Sequence, residues 1–311
     1  MPTVYESVPV QLNSTKFLDL GKAMAPNDEL KELLVREFHI TGGFSSPTKI
    51  QFVVVKESFA KGGFREAYRA KQIGSELPGS DFVIKMFRSE AKEHMKDALQ
   101  TNEVQMTMKN VQMHMLARNS AKLLQSRAPI NYGRHLTYHK AYYATNLDET
   151  EHYFVEPYIQ GVFDKYINNT GKTYPVPLST TKADPNYEMN YAEAFKKACA
   201  LAHFSYINSE KAGMVLDIQG VGFVLTDPEI ASVKVSTENK SEHYFCGGNQ
   251  NKDAIDNFLK DHKCGTYCRL LGLDKPDEQL QLERNGSSTS TNTASRRSRG
   301  PSPSKFSKPK F

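Results

Sequence analysis

A chain of 311 residues with 39% hydrophobic and 24% charged side chains has enough apolar material for one large domain or two lobes. No apolar run follows Met1 and none elsewhere is long enough to span a bilayer, so no membrane span is expected, and four cysteines (Cys199, Cys246, Cys264, Cys268) are too few for a disulfide scaffold of this size. The net charge of +5 comes from the end of the chain: Arg296, Arg297, Arg299, Lys305, Lys308 and Lys310 follow Asn285 with no acid, leaving the remainder near −1 and giving no basic face that would call for a nucleic-acid partner.

The segment before Glu37 offers one short helix, Asn27 to Phe38. From Lys49 the pattern is regular. Ile50–Val55, Phe64–Ala70 and Phe82–Phe87 are predicted strands, rich in β-branched and aromatic residues. Between the first two lies Phe59-Ala60-Lys61-Gly62-Gly63-Phe64-Arg65. Its glycines would let the backbone approach a ligand and offer N–H groups to phosphate, or would simply close a hairpin. Glu90 to Gln125 lacks Gly and Pro and predicts one long helix or a broken pair. Strands follow at Tyr142–Thr145 and Tyr153–Val155, then a loop over Tyr174 to Tyr187 and a helix over Asn190 to Tyr206. Met214–Ile218 and Val221–Leu225 predict strands about a glycine turn. Asp253 to His262 predicts a helix capped by Asp253, with Ile255, Phe258 and Leu259 buried. The tail from Asn285 is too polar to bury a core and is expected to be disordered. No internal repeat is present. A β-rich first half and a helix-rich second half predict two lobes with a cleft between them.

Several residues suit phosphoryl transfer, which needs a lysine on the phosphates, metal ligands, and a group that orients the nucleophile. Lys85 lies in a strand, on the face opposite Ile84. Glu103 and Asn110 share a helix face and are candidates to meet it. Asp217 and Gln219 alternate at a strand end and so face one side, with Asp227 eight residues on from Gln219. Hard oxygen donors of this kind suit Mg²⁺, although strand-capping Asx turns would use the same residues. Gly171-Lys172-Thr173 ends like a phosphate loop, but Tyr166 stands where its first glycine is required. His135 follows Arg134 without a His-Arg-Asp loop, and Asp-Phe-Gly is missing, so a conventional protein kinase is excluded. His262, Cys264 and Cys268 form three-quarters of a structural zinc site. His203, His243, Cys246 and Cys199 are the candidates for the fourth ligand.

These residues together resemble the alpha-kinases, atypical protein kinases that include myosin heavy chain kinases, elongation-factor kinases and channel-linked kinases. The matching segments occur in order: Phe59–Tyr68, Val83–Lys85, Val155-Glu156-Pro157, Lys165-Tyr166, Asn168-Asn169, His203, Leu216–Gly222, Leu225–Ile230, Gly248-Asn249 and His262–Cys268. The resemblance implies an α+β, two-lobed, protein-kinase-like fold over residues 40–275 with a structural zinc in the C-terminal lobe. An N-terminal extension over 1–39 would precede it and a basic Ser/Thr-rich tail over 276–311 would follow. It implies a serine/threonine protein kinase using ATP and Mg²⁺, acting on a protein substrate, and located in the cytoplasm with the nucleus left open. Lys85 is carried over as the ATP-phosphate lysine, Glu156 as an adenine-side contact, and Gly62, Gly63 and Arg65 as the loop over the nucleotide. Asp217 would orient or deprotonate the acceptor hydroxyl, and Gln219 and Asp227 would hold Mg²⁺. His203, His262, Cys264 and Cys268 would hold zinc, leaving Cys199 and Cys246 as free thiols. Two departures favour a rival expectation, a pseudokinase that binds nucleotide or a partner: Asn110 replaces an acid, and Cys246 and Asn251 replace glycines; Ile167 also replaces an Asn.

Overall fold

A computed structural model describes residues 28–98, 101–178, 185–234, 245 and 251–274. Its first half is an antiparallel sheet built from β1 (Asp28–His39), β2 (Gly43–Phe44), β3 (Thr48–Lys61), β4 (Arg65–Ile73), β5 (Asp81–Phe87), β7 (Tyr142–Thr145) and β8 (His152–Pro157). The strand order is β2-β1-β3-β4-β5-β8-β7, and β7 returns to pair with β1, so the sheet curls round on itself.

The N-terminal expectation is corrected here. Residues 28–39 form a strand rather than a helix, paired with β3 from Asp28↔Val55 to Val35↔Thr48 and with β7 from Leu34↔Thr145 to Glu37↔Tyr142. Its Leu, Glu and Lys content favours a helix locally, but Leu33 and Val35 are buried at strand spacing, and partners on both sides override propensity. Among the described residues the sheet therefore includes the chain from Asp28.

One face of the sheet packs Leu33, Ile50, Phe52, Val54, Phe82, Ile84, Tyr153 and Val155 into a core. Lys85 and Phe154 alternate onto the opposite face. That face receives α2 (Glu103–Arg127), which follows α1 (Ser89–Ala98) as the second member of the broken pair. Asn102 caps α2, its Oδ1 accepting from Gln105 N at 2.9 Å, which satisfies one of the orphan amides of the first turn. Val111 and Met115 of α2 then pack against Tyr143 and Phe154.

The second half has its own core around α3 (Pro185–Asn208), where Ala194, Ala198, Leu201 and Ala202 meet Met214, Leu216, Ile218 and Phe258. Here β10 (Gly213–Leu216) pairs with β13 (Glu229–Ser232), while β11 (Gln219–Val221) pairs with β12 (Val224–Thr226) and with β9 (Asp164–Lys165); β6 (Thr137–Tyr138) lies parallel beside β12. The two strands expected about a glycine turn are thus three, in two sheets. Asp217, at φ 47°, breaks the chain between β10 and β11 and sends it from one sheet to the other. Gly220, in the middle of β11, has to be glycine: at φ 156° a Cβ there would lie 2.1 Å from Val224 O of the paired strand β12.

The last helices are α4 (Lys252–Asp261) and α5 (Thr266–Leu270). Asn251 caps α4, accepting from Asp253 N at 2.9 Å, so the expected cap at Asp253 is two residues late. Among the described helices none is long and apolar enough to cross a membrane. The expected tail, His243 and most of the Cys246–Asn251 loop lie outside the described residues.

Candidate active site

The two halves meet through charge. From the sheet come Arg65, first residue of β4, and Lys85 on β5. From the other half comes Asp227, just beyond β12. Arg65 Nη2 donates to Asp227 Oδ1 at 2.6 Å, and Lys85 Nζ lies 3.3 Å from the same oxygen. Lys85 Nζ also pairs with Glu156 Oε1 on β8 at 2.8 Å, and the Thr226 hydroxyl donates to the other oxygen of Glu156. Glu156 is buried, so this pairing keeps its carboxylate from standing as an isolated buried charge. Burial pushes the Asp227 carboxyl up, but the Arg65 and Lys85 cations outweigh it and hold the group well below the usual carboxylate range.

A second group adjoins the first. Lys165 Nζ on β9 lies 2.8 Å from Asp217 Oδ1, and Gln219 Nε2 donates to Asp217 Oδ2 at 2.7 Å and to Asp227 O at 3.1 Å. Gln219 therefore ties the two aspartates together. Asp217 and Gln219 meet as the sequence suggests, but through the left-handed break at Asp217 rather than through strand alternation. Asp227 is left-handed too, at φ 49°. Two non-glycine residues held in this sparsely populated region beside one another mark a site where geometry is imposed by the surrounding fold. Burial raises Asp217, while Lys165 and Gln219 pull it back.

The remaining expectations sort as follows. Gly62 and Gly63 form the open turn between β3 and β4. A Cβ on Gly62 would make only ordinary contact at 3.5 Å, and one on Gly63 would meet nothing within 4 Å. The fold itself does not demand glycine at either position. Glu103 is paired with Lys92 at 2.8 Å, and Asn110 turns its Nδ2 to Met106 O of its own helix at 2.9 Å. The partner of Lys85 is Glu156, not a helix residue.

Sequence reasoning passed over three contributors. Lys165 lay within a quoted motif, but nothing local marks its reach to Asp217, 52 positions away. Phe154 shares a strand face with Glu156, and period-two reading of Phe154-Val155-Glu156 would have found it. Glu229 lies opposite Leu216 in the β10–β13 ladder. Its Oε2 is buried without a hydrogen-bond partner among the described residues, and burial, reinforced by the charges of Asp217 and Asp227, raises it to about 8.

Away from the cleft, His203 of α3, His262 at the end of α4, Cys264 and Cys268 of α5 bring one donor atom each within 4.8 Å of one another. Cys264 Sγ lies 3.6 Å from His203 Nδ1 and 3.8 Å from His262 Nε2, and Cys268 Sγ lies 3.5 Å from His262 Nε2. Zinc bonds of about 2.3 Å to sulfur and about 2.0–2.1 Å to nitrogen, at tetrahedral angles, separate the donor atoms by about 3.6 Å. The four residues fit such an ion. Cys199 is a half-buried free thiol, and burial raises it to about 12.

Comparison with known proteins gives this arrangement its relatives. Residues 60–268 match the alpha-kinase family. The chain belongs to that family. Alpha-protein kinase 1 of Dictyostelium discoideum is 28% identical over 230 residues, covering 73% of this chain and 14% of that protein. Myosin heavy chain kinase B of the same organism is 26% identical over 223 residues (69% and 25%), and the human transient receptor potential cation channel subfamily M member 6 is 27% identical over 229 (72% and 10%). This alpha-kinase chain thus spans at most 25% of the length of these relatives. Among solved structures, the alpha-kinase domain of myosin heavy chain kinase A in complex with AMP superposes with a TM-score of 0.60 at 22% identity, covering 79% of this chain and all of that one. The ADP complex of the same domain gives 0.59. The fold is that of an alpha-kinase domain, α+β as expected.

Proposed function

We propose that this chain is an ATP- and Mg²⁺-dependent serine/threonine protein kinase. The observation that carries the reading is the convergence of Lys85 and Arg65 on Asp227, one hydrogen bond from the Asp217–Gln219–Lys165 group. Complexes of a similar domain with AMP and ADP support a nucleotide in the corresponding cleft.

Lys85 and Arg65 bind phosphate oxygens and balance their charge, with Glu156 holding Lys85 in place and standing on the adenine side. The open turn at Gly62 and Gly63 lies over the phosphates, and close approach of that ligand is the reason for glycine where the fold needs none. Gln219 and Asp227 fit Mg²⁺: both present hard oxygen atoms, and among the described residues Gln219 hydrogen-bonds through its amide nitrogen, leaving the amide oxygen for a cation. When bound, the ion supplies charge neutralisation across the phosphates. Asp217 accepts the hydrogen of the acceptor hydroxyl and aligns its oxygen for in-line attack, and Lys165 keeps that carboxylate oriented. His203, His262, Cys264 and Cys268 hold a structural zinc that joins α3, α4 and α5 and takes no part in the chemistry.

The rival reading, a pseudokinase, leaned on Asn110. With Lys85 already paired to Glu156, loss of an acid at 110 leaves the lysine anchored, which favours a working enzyme. Phosphate incorporation from labelled ATP with Mg²⁺, into the chain itself and into a generic basic protein, tests the choice. Incorporation by wild type and none by Asp217→Ala is the expected result. Folded, zinc-loaded wild type that transfers nothing would return the chain to the pseudokinase reading.

A further inference from the structure

Two cations on one carboxylate oxygen pose a physical problem. Arg65 and Lys85 repel one another, and both approach Asp227 Oδ1 within hydrogen-bond or ion-pair distance. Glu156 balances Lys85 through one oxygen and accepts from Thr226 with the other. The two cations also share a ring. The Arg65 guanidinium carbon and Lys85 Nζ each lie 5.5 Å from the centroid of Phe154. Phe154 stands opposite Lys85 in the β5–β8 ladder, so its position is set by strand register and not by a mobile loop. It is 2% exposed, backed by Val111 and Met115 of α2 and by the ring of His114 at 5.6 Å.

An aromatic face carries the negative part of a quadrupole, and it attracts a cation more strongly when water is excluded. We propose that the face of Phe154 is a positioning element of the phosphate site, holding Arg65 and Lys85 side by side so that both reach Asp227 and the nucleotide phosphates. Phe154 does not touch the reacting atoms. It acts through the two cations, and it does so by the charge distribution of its ring as well as by its volume. The proposal rests on the kinase reading for the identity of the ligand.

The distinction between ring charge and ring volume can be measured. Replacing Phe154 in the full chain with 4-fluoro-, 3,5-difluoro- and 3,4,5-trifluorophenylalanine withdraws the negative face in steps while nearly keeping the shape. Binding of a fluorescent ATP analogue with Mg²⁺, kcat with a basic protein acceptor, and Tm are recorded for each. The expected result is a stepwise rise in nucleotide Kd and fall in kcat, reaching about 3- to 10-fold at the trifluoro ring, at constant Tm. Phe154→Leu should lose at least as much and Phe154→Tyr should restore most of it. A flat series, or losses that track Tm instead of fluorination, would overturn the proposal while leaving the kinase reading intact. Wild type that binds no nucleotide at all would overturn both.

Discussion

The cleft network and the His–Cys cluster are both partly buried polar groups, but they are satisfied in opposite ways. In the cleft every named charge faces another: Arg65 and Lys85 against Asp227, Lys85 against Glu156, Lys165 against Asp217. In the cluster the groups are two imidazoles and two thiols with no acid among the four. Burial lowers His262 and raises Cys268, the latter to about 12 with Cys264 adding to the rise, so both move toward their neutral forms. The first set is electrostatically complete from the chain's own residues. The second has the spacing of a coordination shell. Breaking the first should therefore change chemistry more than folding, and breaking the second should change folding more than chemistry.

The largest effect is expected at Asp227. Asp227→Ala should reduce phosphate transfer by about 10³-fold or more, since it removes the proposed metal ligand and the anchor of two cations together. Lys85 retains Glu156, so the fold should persist, checked by circular dichroism and Tm beside the transfer assay. Activity within tenfold of wild type would sink the metal-ligand assignment. Asp217→Asn should come next, with a loss of about 10²- to 10⁴-fold in kcat and little change in ATP affinity, because it acts on the acceptor hydroxyl and not on the nucleotide. A matching rise in the Kd for ATP would show that Asp217 serves the wrong end of the reaction.

The same contrast explains what was legible in the sequence. The zinc set could be assembled because three of its members fall within seven residues and the family resemblance supplied His203. Lys85 on the face opposite Ile84 followed from strand alternation. The helix assigned to 27–38 failed because Leu, Glu and Lys describe local preference, whereas β1 is fixed by pairing with β3 and β7. The contacts of Glu156 with Lys85 and Thr226, and of Lys165 with Asp217, join positions 52 to 71 residues apart, and no spacing rule carries information over that range. Asp217 and Gln219 were placed together for the wrong reason, since alternation and a left-handed break can bring the same two side chains to one side.

Cys264→Ala sharpens the other half of the comparison. The expected outcome is loss of one zinc per chain by elemental analysis, a Tm lower by about 10 °C, and poor solubility, since metal binding free energy is folding free energy. A chelator should reproduce it in wild type. An equally stable, zinc-free variant would remove the cluster from any structural role. Gly220→Ala should destabilise by about 3 kcal/mol, because the new Cβ would meet Val224 O at 2.1 Å at a φ of 156°, and the strain falls on the strand that carries Gln219.

The last test concerns Glu229, the cleft acid whose Oε2 is buried without a hydrogen-bond partner among the described residues. Glu229 has a folded value of about 8 against an ordinary 4.5, raised first by burial and then by Asp217 and Asp227. In metal-free, nucleotide-free solution the folded chain should therefore keep a proton on Glu229 that the unfolded chain has released. That contribution to stability is complete below pH 4.5 and is lost progressively as the pH rises to 8, with a slope of at most about 1.4 kcal/mol per pH unit. Asp227, held low, has the opposite sign and acts only below the ordinary carboxylate range. Glu229→Gln removes the first effect and leaves the second. Denaturant unfolding from pH 5 to 8.5 should give nearly equal stabilities at the acid end and a variant that grows steadily more stable than wild type toward the alkaline end. Titrating groups remote from Glu229 are common to both chains and cancel in the difference. Parallel stability curves would mean that Glu229 is ionised and paired in the folded state, and that the cleft tolerates a third carboxylate as fully as it does Asp217 and Asp227.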